Sequence, residues 1–294
     1  MNKEELIKKV RRIEIKTKGL SHDIFAGKYH SAFKGRGISF SEVREYREGD
    51  DIRDIDWNVT ARSSKAHIKI YEEERELTMM LLVDISGSGN FGTQGALKRD
   101  IMTEVAATLS FAAAHNNDKV GCILFTDRIE KYIPPKKGRQ HVLRIISELL
   151  DFEPESRGTD LGLPLKLLSN VLKKRSTAFV LSDFQDVDMT GGCVRFEESM
   201  KIASSKHDLV ALRFYDVREG EMPNIGMVEL RDAETGLKRW VDTSSARVRR
   251  EYREFAERRR DIIKGALLRN RIDAVALATD GDYVTDLIRL FKKR

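Results

Sequence analysis

The sequence predicts an α/β fold: a doubly wound, mostly parallel central sheet with helices on both faces, forming three layers. From about residue 76 onward, short apolar runs alternate with longer segments of helical period. Such alternation is typical of parallel strands joined by right-handed crossovers. Two features depart from it: an irregular N-terminal extension, and a β-hairpin inserted at about 222–243.

The strands are predicted from short apolar runs bounded by polar or turn residues. Met79–Val83 is the clearest, because five consecutive apolar residues are too few for a buried helix. Pro134 and Pro135 are expected to end the third strand, since proline interrupts a ladder. The predicted strands are 78–84, 119–126, 129–133, 177–182, 208–215 and 273–278.

The helices are predicted from apolar residues that recur at helical spacing. In 139–151, for example, Val142, Ile145, Ile146 and Leu149 share one face. The helix at 246–269 is highly charged, with an apolar stripe expected at Val248, Tyr252, Phe255 and Ala256. The predicted helices are 95–116, 139–151, 161–174, 195–206, 246–269 and 282–292.

Residues 1–75 are predicted to form a helix and an irregular extension packed on a main domain of residues 76–294. Residues 2–18 have helical period, whereas 19–65 have no sustained period and many glycines. Aromatic residues favour an ordered extension, and Trp57 is expected to act as its apolar anchor beside a cluster of aspartates. Residues 66–74 alternate as an edge strand does.

Composition limits the classes of partner. The 53 basic and 47 acidic residues give a net charge of +6, a modest excess that does not favour nucleic acid or membrane. The sequence has no apolar run of the roughly 20 residues that cross a bilayer, and its charged start is not a secretory signal. We therefore expect a cytoplasmic protein in which Cys122 and Cys193 are reduced.

Three predicted loops carry oxygen-bearing side chains at the ends of strands. Asp84, Ser86 and Ser88 follow the first central strand, Thr159 lies in RGTDLG, and Asp183 directly follows TAFVLS. Neighbouring parallel strands open onto one crevice, so these side chains are expected to converge. Carboxylate and hydroxyl oxygens suit a hard cation such as Mg²⁺. Helix and loop capping would explain any one loop, but it explains all three together much less well.

The pattern DISGS, GTD and LSDF resembles the metal-ion-dependent adhesion site of von Willebrand factor A domains. That site combines Asp-x-Ser-x-Ser with a distant Thr and a distant Asp, and all five positions match. The resemblance implies direct ligation of Mg²⁺ (or Mn²⁺ or Ca²⁺) by Ser86, Ser88 and, in one state, Thr159. Asp84 and Asp183 would often act through water, and a partner's Glu or Asp would complete the coordination.

The segment GISFSEVREYREGDDIRDIDWNVTAR is similar to the signature that precedes the A-like domain in domain-of-unknown-function family 58. The resemblance covers the chain from about Gly27 to its C-terminus. It implies an adaptor that works with a MoxR-type AAA+ ATPase in the assembly or maturation of other proteins. Many members carry transmembrane segments near the N-terminus, and this sequence shows none.

The sequence also offers partial matches to two other functions, dinucleotide binding and nucleic-acid binding. Gly87–Gly92 matches the dinucleotide fingerprint G-x-G-x-x-G, but the acidic residue expected about 20 positions later is missing; the next strand-end acid is Asp127. The basic and aromatic extension resembles a surface for single-stranded nucleic acid, although five acidic residues follow within ten positions. The three loops offer no His or Glu base, so we expect no catalytic residues and no enzyme activity.

Overall fold

In the computed structural model, the structure describes residues 8, 11, 39–47, 49–63, 65–72, 77–93 and 96–294. Lys34–Leu77 forms one compact unit, and Thr78–Arg294 belongs to the other. The helix predicted over 2–18 and the extension before residue 39 lie almost entirely outside the described residues. The packing of the extension on the main domain stays a prediction.

The smaller unit contains a two-stranded antiparallel sheet of β1 (Ser39–Glu45) and β2 (His67–Glu72). Strand β2 is predicted from the sequence, but β1 lies in a segment predicted to be irregular, because serines and charged residues interrupt its apolar positions. The one-turn helix α1 (Trp57–Thr60) begins after Asp56, whose carboxylate accepts from the amides of Asn58 and Val59.

The expectation for Trp57 was wrong. Its side chain is 68% exposed, whereas Ile68 on β2 is only 6% exposed and forms a bridge with Ile55. Among the predicted aspartates, Asp50 does form the expected ion pair, since both of its oxygens accept from the Arg44 guanidinium at 2.8 Å.

The strands of the larger unit are β3 (Thr78–Asp84), β4 (Lys119–Phe125), β5 (Ile129–Lys136), β6 (Thr177–Ser182), β7 (Val187–Asp188), β8 (Cys193–Val194), β9 (Asp208–Tyr215), β10 (Met227–Arg231), β11 (Lys238–Asp242) and β12 (Asp273–Ala278). Six of them form one sheet with the order β12-β9-β6-β3-β4-β5. All neighbours in it are parallel except the edge strand β5, which is antiparallel to β4. The predicted doubly wound, mostly parallel fold is therefore confirmed.

Strand β3 lies at the centre of the sheet. Met79 to Val83 are each at most 2% exposed, and successive strand residues point to opposite faces, so both faces are covered. The chain passes from β3 to β4 on one side and reaches β6 on the other side. The carboxyl ends of β3 and β6 therefore flank the point where the strand order reverses, where open α/β sheets place ligands.

Helices connect the strands as predicted, with ends shifted by at most three residues. They are α2 (Lys98–His115), α3 (Arg139–Asp151), α4 (Gly162–Val171), α5 (Glu197–Lys206), α6 (Ala246–Arg269) and α7 (Tyr283–Lys293). The apolar face of α3 is buried as expected. In α6, however, the buried residues are Ile263, Ala266 and Leu267, and Phe255 is 48% exposed. The N-terminal half of α6 thus buries less of its apolar stripe than the period indicated.

Strand β5 corrects a second expectation, because it runs through Pro134 and Pro135 to Lys136. Proline lacks an N–H donor but is accepted on an edge strand, where one side of the backbone has no partner strand. Strand β5 pairs within its sheet with β4 alone. The prolines therefore mark the edge of the sheet and do not end the strand.

The inserted hairpin is confirmed as β10 and β11, paired from Met227 with Asp242 to Arg231 with Lys238. Its strands form a separate two-stranded sheet, and Met227, Leu237 and Trp240 are each more than 60% exposed. Among the helices that the structure describes, none combines the length and apolarity needed to cross a membrane.

Candidate metal centre

The residues of the predicted site lie at the carboxyl ends of β3 and β6. Asp84 is the last residue of β3, and Asp183 directly follows β6. After Ser86 the chain makes a short 3-10 turn over Gly87–Asn90. The amide of Gly87 donates to the carbonyl of Arg157 at 2.9 Å and so ties this turn to the loop that carries Thr159.

Three of the five predicted residues, Asp84, Ser86 and Ser88, are joined by hydrogen bonds. The Oγ atoms of Ser86 and Ser88 lie 3.1 Å apart. Asp84 accepts from the Ser86 amide at 3.0 Å through Oδ1. The Ser88 hydroxyl lies near Asp183 and helps to lower the pKa of that carboxyl. The fifth residue, Thr159, binds elsewhere: its hydroxyl donates at 2.7 Å to Oε1 of Glu234.

A buried lysine contacts one of the predicted site residues, Asp183. Lys98, in the first turn of α2, is 0% exposed. Its ammonium donates to Asp183 Oδ2 at 2.7 Å and to Glu219 Oε1 at 2.6 Å. Burial favours a neutral lysine, but the two carboxylates outweigh it and raise the pKa of Lys98. The ammonium therefore shares its single positive charge between Asp183 and Glu219.

Among the described residues, no cationic side chain forms an ion pair with Asp84. Its second oxygen accepts from the Ser182 hydroxyl at 2.6 Å, so the donors recorded for this carboxylate are neutral groups. Burial, and then the charge of Asp183, raise the pKa of Asp84 to about 6. The pKa of Asp183 is instead lowered, because Lys98 outweighs the effect of burial. The negative charge at Asp84 is thus the part of the site that lacks a positive partner.

Glu234 places another carboxylate at the site. It lies in the turn between β10 and β11, beside Thr159. Burial is the largest cause of its raised pKa, and the charge of Asp183 adds to it. Glu234 is therefore close enough to Asp183 for the two carboxylates to repel each other.

The donor set fits a hard divalent cation. Adjacent ligands of an octahedral Mg²⁺ with bonds of about 2.1 Å are separated by about 3 Å, close to the Ser86–Ser88 distance of 3.1 Å. Ser86, Ser88 and Thr159 supply neutral oxygens, and Asp84 supplies negative charge. No group of three His, Cys, Asp or Glu side chains in the described part of the chain has the arrangement of a metal centre. A cation here would therefore depend on the hydroxyls.

Sequence reasoning missed four residues of this centre: Ser182, Lys98, Glu219 and Glu234. Ser182 could have been noticed, because it directly precedes Asp183 at the end of a predicted strand. Lys98, Glu219 and Glu234 lie 85, 36 and 51 positions from Asp183, in segments whose local pattern indicates only a helix, a loop and a turn.

The glycines of Gly87–Gly92 are placed differently from a dinucleotide fingerprint. In that motif the helix opens within the glycine-rich turn and directs its N-terminus at the pyrophosphate. Here α2 begins at Lys98, after Gly92 and a further five residues. Two buried carboxylates, Asp84 and Asp183, also lie at this end of the sheet, where they would repel a phosphate.

Several known proteins are similar to the chain in sequence or in fold. An uncharacterized protein of Mycobacterium tuberculosis is 28% identical over 288 residues, covering 97% of this chain and 88% of that protein. The structure titled "conserved hypothetical protein BatB" from Bacteroides thetaiotaomicron has a TM-score of 0.47 and 15% identity, covering 74% of this chain and 98% of that one. A von Willebrand factor type A structure from Catenulispora acidiphila has a TM-score of 0.36 and 13% identity, covering 65% and 43%.

The signature segment predicted at 37–62 overlaps the region that the family model matches. The family "Protein of unknown function DUF58" matches residues 42–262, more than half of the chain, and the protein therefore belongs to that family.

Proposed function

We propose that the chain is a protein-interaction module whose binding depends on a divalent cation. The cation, Mg²⁺ or another hard ion, would be held by Ser86, Ser88 and Thr159, with Asp84 and Asp183 balancing its charge. The observation that carries this proposal is the pair of serine hydroxyls 3.1 Å apart beside a buried carboxylate without a cationic partner. A partner's Glu or Asp would then bind the remaining coordination position.

The partner that we propose is a MoxR-type AAA+ ATPase, with which the chain would act as a non-catalytic adaptor. Support comes from the family signature and from the chemistry of the site. The site offers a place for an anionic oxygen but no His near its hydroxyls among the contacts recorded for them. Such a site can hold a carboxylate without transferring a group to it.

Thermal unfolding with and without Mg²⁺ or Mn²⁺ tests the cation. An ion at a hundred times its Kd stabilises the folded state by about 2.7 kcal/mol, which raises Tm by several degrees in a domain of this size. Asp84→Asn should abolish the rise, while Asp151→Asn, at an exposed position at the end of α3, should preserve it. An unchanged Tm in the wild-type protein at millimolar ion would contradict the proposal.

A binding experiment with a purified MoxR-type ATPase from the same genome tests the partner. We expect a complex that is lost in EDTA and restored by Mg²⁺. The double variant Ser86→Ala/Ser88→Ala should lose it as well, because both hydroxyl ligands are removed. A complex that survives EDTA would remove the cation from the interface, and the absence of any complex with Mg²⁺ present would remove this partner.

A further inference from the structure

We propose that Glu234 is a ligand of the cation and closes the candidate site from within the chain. A partner's carboxylate would then have to displace the tip of the β10–β11 hairpin before it could bind. This inference rests on the cation-dependent function proposed above. It adds a residue that belongs to none of the three loops that predict the site.

The carboxylate of Glu234 is already held by a predicted cation ligand. The Thr159 hydroxyl donates to Glu234 Oε1 at 2.7 Å, and the charge of Asp183 acts on the same group. The Glu234 carboxylate thus contacts a predicted ligand hydroxyl and lies close enough to Asp183 for the two negative charges to repel each other. A divalent cation between them would turn this repulsion into attraction.

The backbone of the hairpin tip also approaches the site closely. A Cβ atom placed on Gly87, between the two serines, would lie 2.3 Å from the carbonyl oxygen of Ala233. The carbonyl group of Ala233 can therefore lie this close to Gly87 only because glycine has no side chain.

The turn that carries Glu234 is shaped in advance. Asp232 Oδ1 accepts from the amides of Glu234 and Thr235 at 3.1 and 2.7 Å, and from the Thr235 hydroxyl at 2.8 Å. Gly236 closes the turn with a φ of 72°, a conformation that favours glycine. The Glu234 side chain is thus presented from a fixed turn and not from a loose loop.

The hairpin is anchored at its base and weakly held along its strands. Thr243 fixes the base, since its amide and hydroxyl both donate to the carbonyl of Gly226. The two strands form an isolated sheet with exposed apolar side chains, and a two-stranded hairpin alone is marginally stable in water. The contacts of Glu234 and Ala233 at the site are therefore an important part of what holds the tip down, and the tip can lift if they are replaced.

Titration of the full-length chain with Mn²⁺ alone tests this inference, with affinity measured by calorimetry. Glu234→Gln keeps the size and hydrogen-bonding ability of the side chain but removes its charge. We expect it to weaken Mn²⁺ binding by about tenfold or more, because ion affinity depends on the number of charged ligands. Glu229→Gln is the matched control, since Glu229 lies on the same hairpin and pairs with Lys238 at 2.7 Å. Its Mn²⁺ affinity should equal that of the wild type.

Hydrogen exchange provides a second measurement that does not depend on affinity. Mn²⁺ should slow amide exchange over 227–242 in the wild type and in Glu229→Gln, but not in Glu234→Gln. Equal Mn²⁺ affinity in the wild type and Glu234→Gln would overturn the inference and leave the cation site standing. Failure of the wild type to bind Mn²⁺ would overturn both the inference and the proposed function.

Discussion

At the scale of single residues, Lys98 decides the charge balance of the candidate site. A lysine side chain is rarely fully buried unless it is paired, and here two carboxylates contact one ammonium. The ammonium shares one positive charge between Asp183 and Glu219, while the donors to Asp84 are the neutral Ser86 amide and Ser182 hydroxyl. Under the proposed function, a cation from solution would balance the negative charge that Lys98 leaves uncompensated.

We predict that Lys98→Met destabilises the protein by about 3–5 kcal/mol, because the buried Asp183 and the partly buried Glu219 lose their cation. Urea unfolding at pH 7 measures the change, and Mg²⁺ should restore part of the loss by neutralising Asp183. Lys166→Met, at an exposed position on α4, is the control and should stay within about 0.5 kcal/mol of the wild type. A small effect of Lys98→Met would mean that the ion pair contributes little in solution.

His207 links stability to pH. It is 2% exposed, and one ring nitrogen contacts the Ser176 hydroxyl at 3.0 Å. Burial, with the charges of Lys206 and Arg175, lowers its pKa below 6.5. A base with a lowered folded-state pKa stabilises the protein above the unfolded pKa, and that contribution is lost as the pH falls below about 6.5.

The test compares urea unfolding of the wild type and His207→Gln between pH 8 and pH 5. The stability advantage of the wild type should shrink below pH 6.5, because unfolding releases a histidine that binds a proton more readily. His115→Gln, at an exposed position at the end of α2, should leave the pH dependence unchanged. A constant difference between wild type and His207→Gln would show that His207 does not titrate differently in the folded state.

At the scale of elements, two glycines differ in the space that a side chain would find: Gly121 in a strand and Gly265 in a helix. Gly121 lies in β4, where the pairing with β5 shifts register between Val120 and Cys122. A Cβ there would lie 2.5 Å from the Met80 sulfur and 3.0 Å from the carbonyl oxygen of Ile133. Gly265 lies in the interior of α6, where the nearest atom to a Cβ is the flexible end of Arg269 at 3.3 Å.

The two glycines therefore predict effects of opposite sign. Gly121→Ala should destabilise the protein by about 1–3 kcal/mol through overpacking. Gly265→Ala should stabilise it by about 0.5–1 kcal/mol, because alanine loses less backbone entropy in a helix. Urea unfolding of both variants checks the pair, and a stabilising Gly121→Ala would contradict the close approach of β4 and β5.

At the scale of the whole molecule, the larger unit contains the complete six-stranded sheet and all the candidate residues of the cation site. The strands, helices and hairpin that build them all lie within Thr78–Arg294. None of the six strands comes from Lys34–Leu77, so the sheet is complete without that segment.

We predict that a fragment of residues 76–294 folds alone and unfolds in one cooperative transition. Circular dichroism should show a sigmoidal thermal melt, and Mn²⁺ should raise its Tm as in the full chain. A gradual, non-cooperative melt would show that the preceding residues are needed to stabilise the main domain, and the boundary predicted at 75/76 would then be wrong.

Most of the larger unit could be predicted from sequence because its signals are local. Met79–Val83 is apolar at every position, and α3 repeats its apolar residues at helical spacing, so the chain near each residue determines the element. The same approach failed at β1, where polar residues hide the strand, and at Pro134 and Pro135. Whether proline is accepted there depends on the edge position of β5, which is a property of the assembled sheet.

The sequence by itself determined the family, the order of the main helices and sheet strands of the larger unit, and the five candidate cation ligands, because the signal for each lies in short contiguous segments. Only the tertiary structure decided which charges meet those ligands. Lys98 and Glu234 reach the site from α2 and from the hairpin tip, 85 and 51 positions from Asp183. Contacts over such separations depend on how α2 and the hairpin pack on the sheet, and no local pattern of residues encodes that packing.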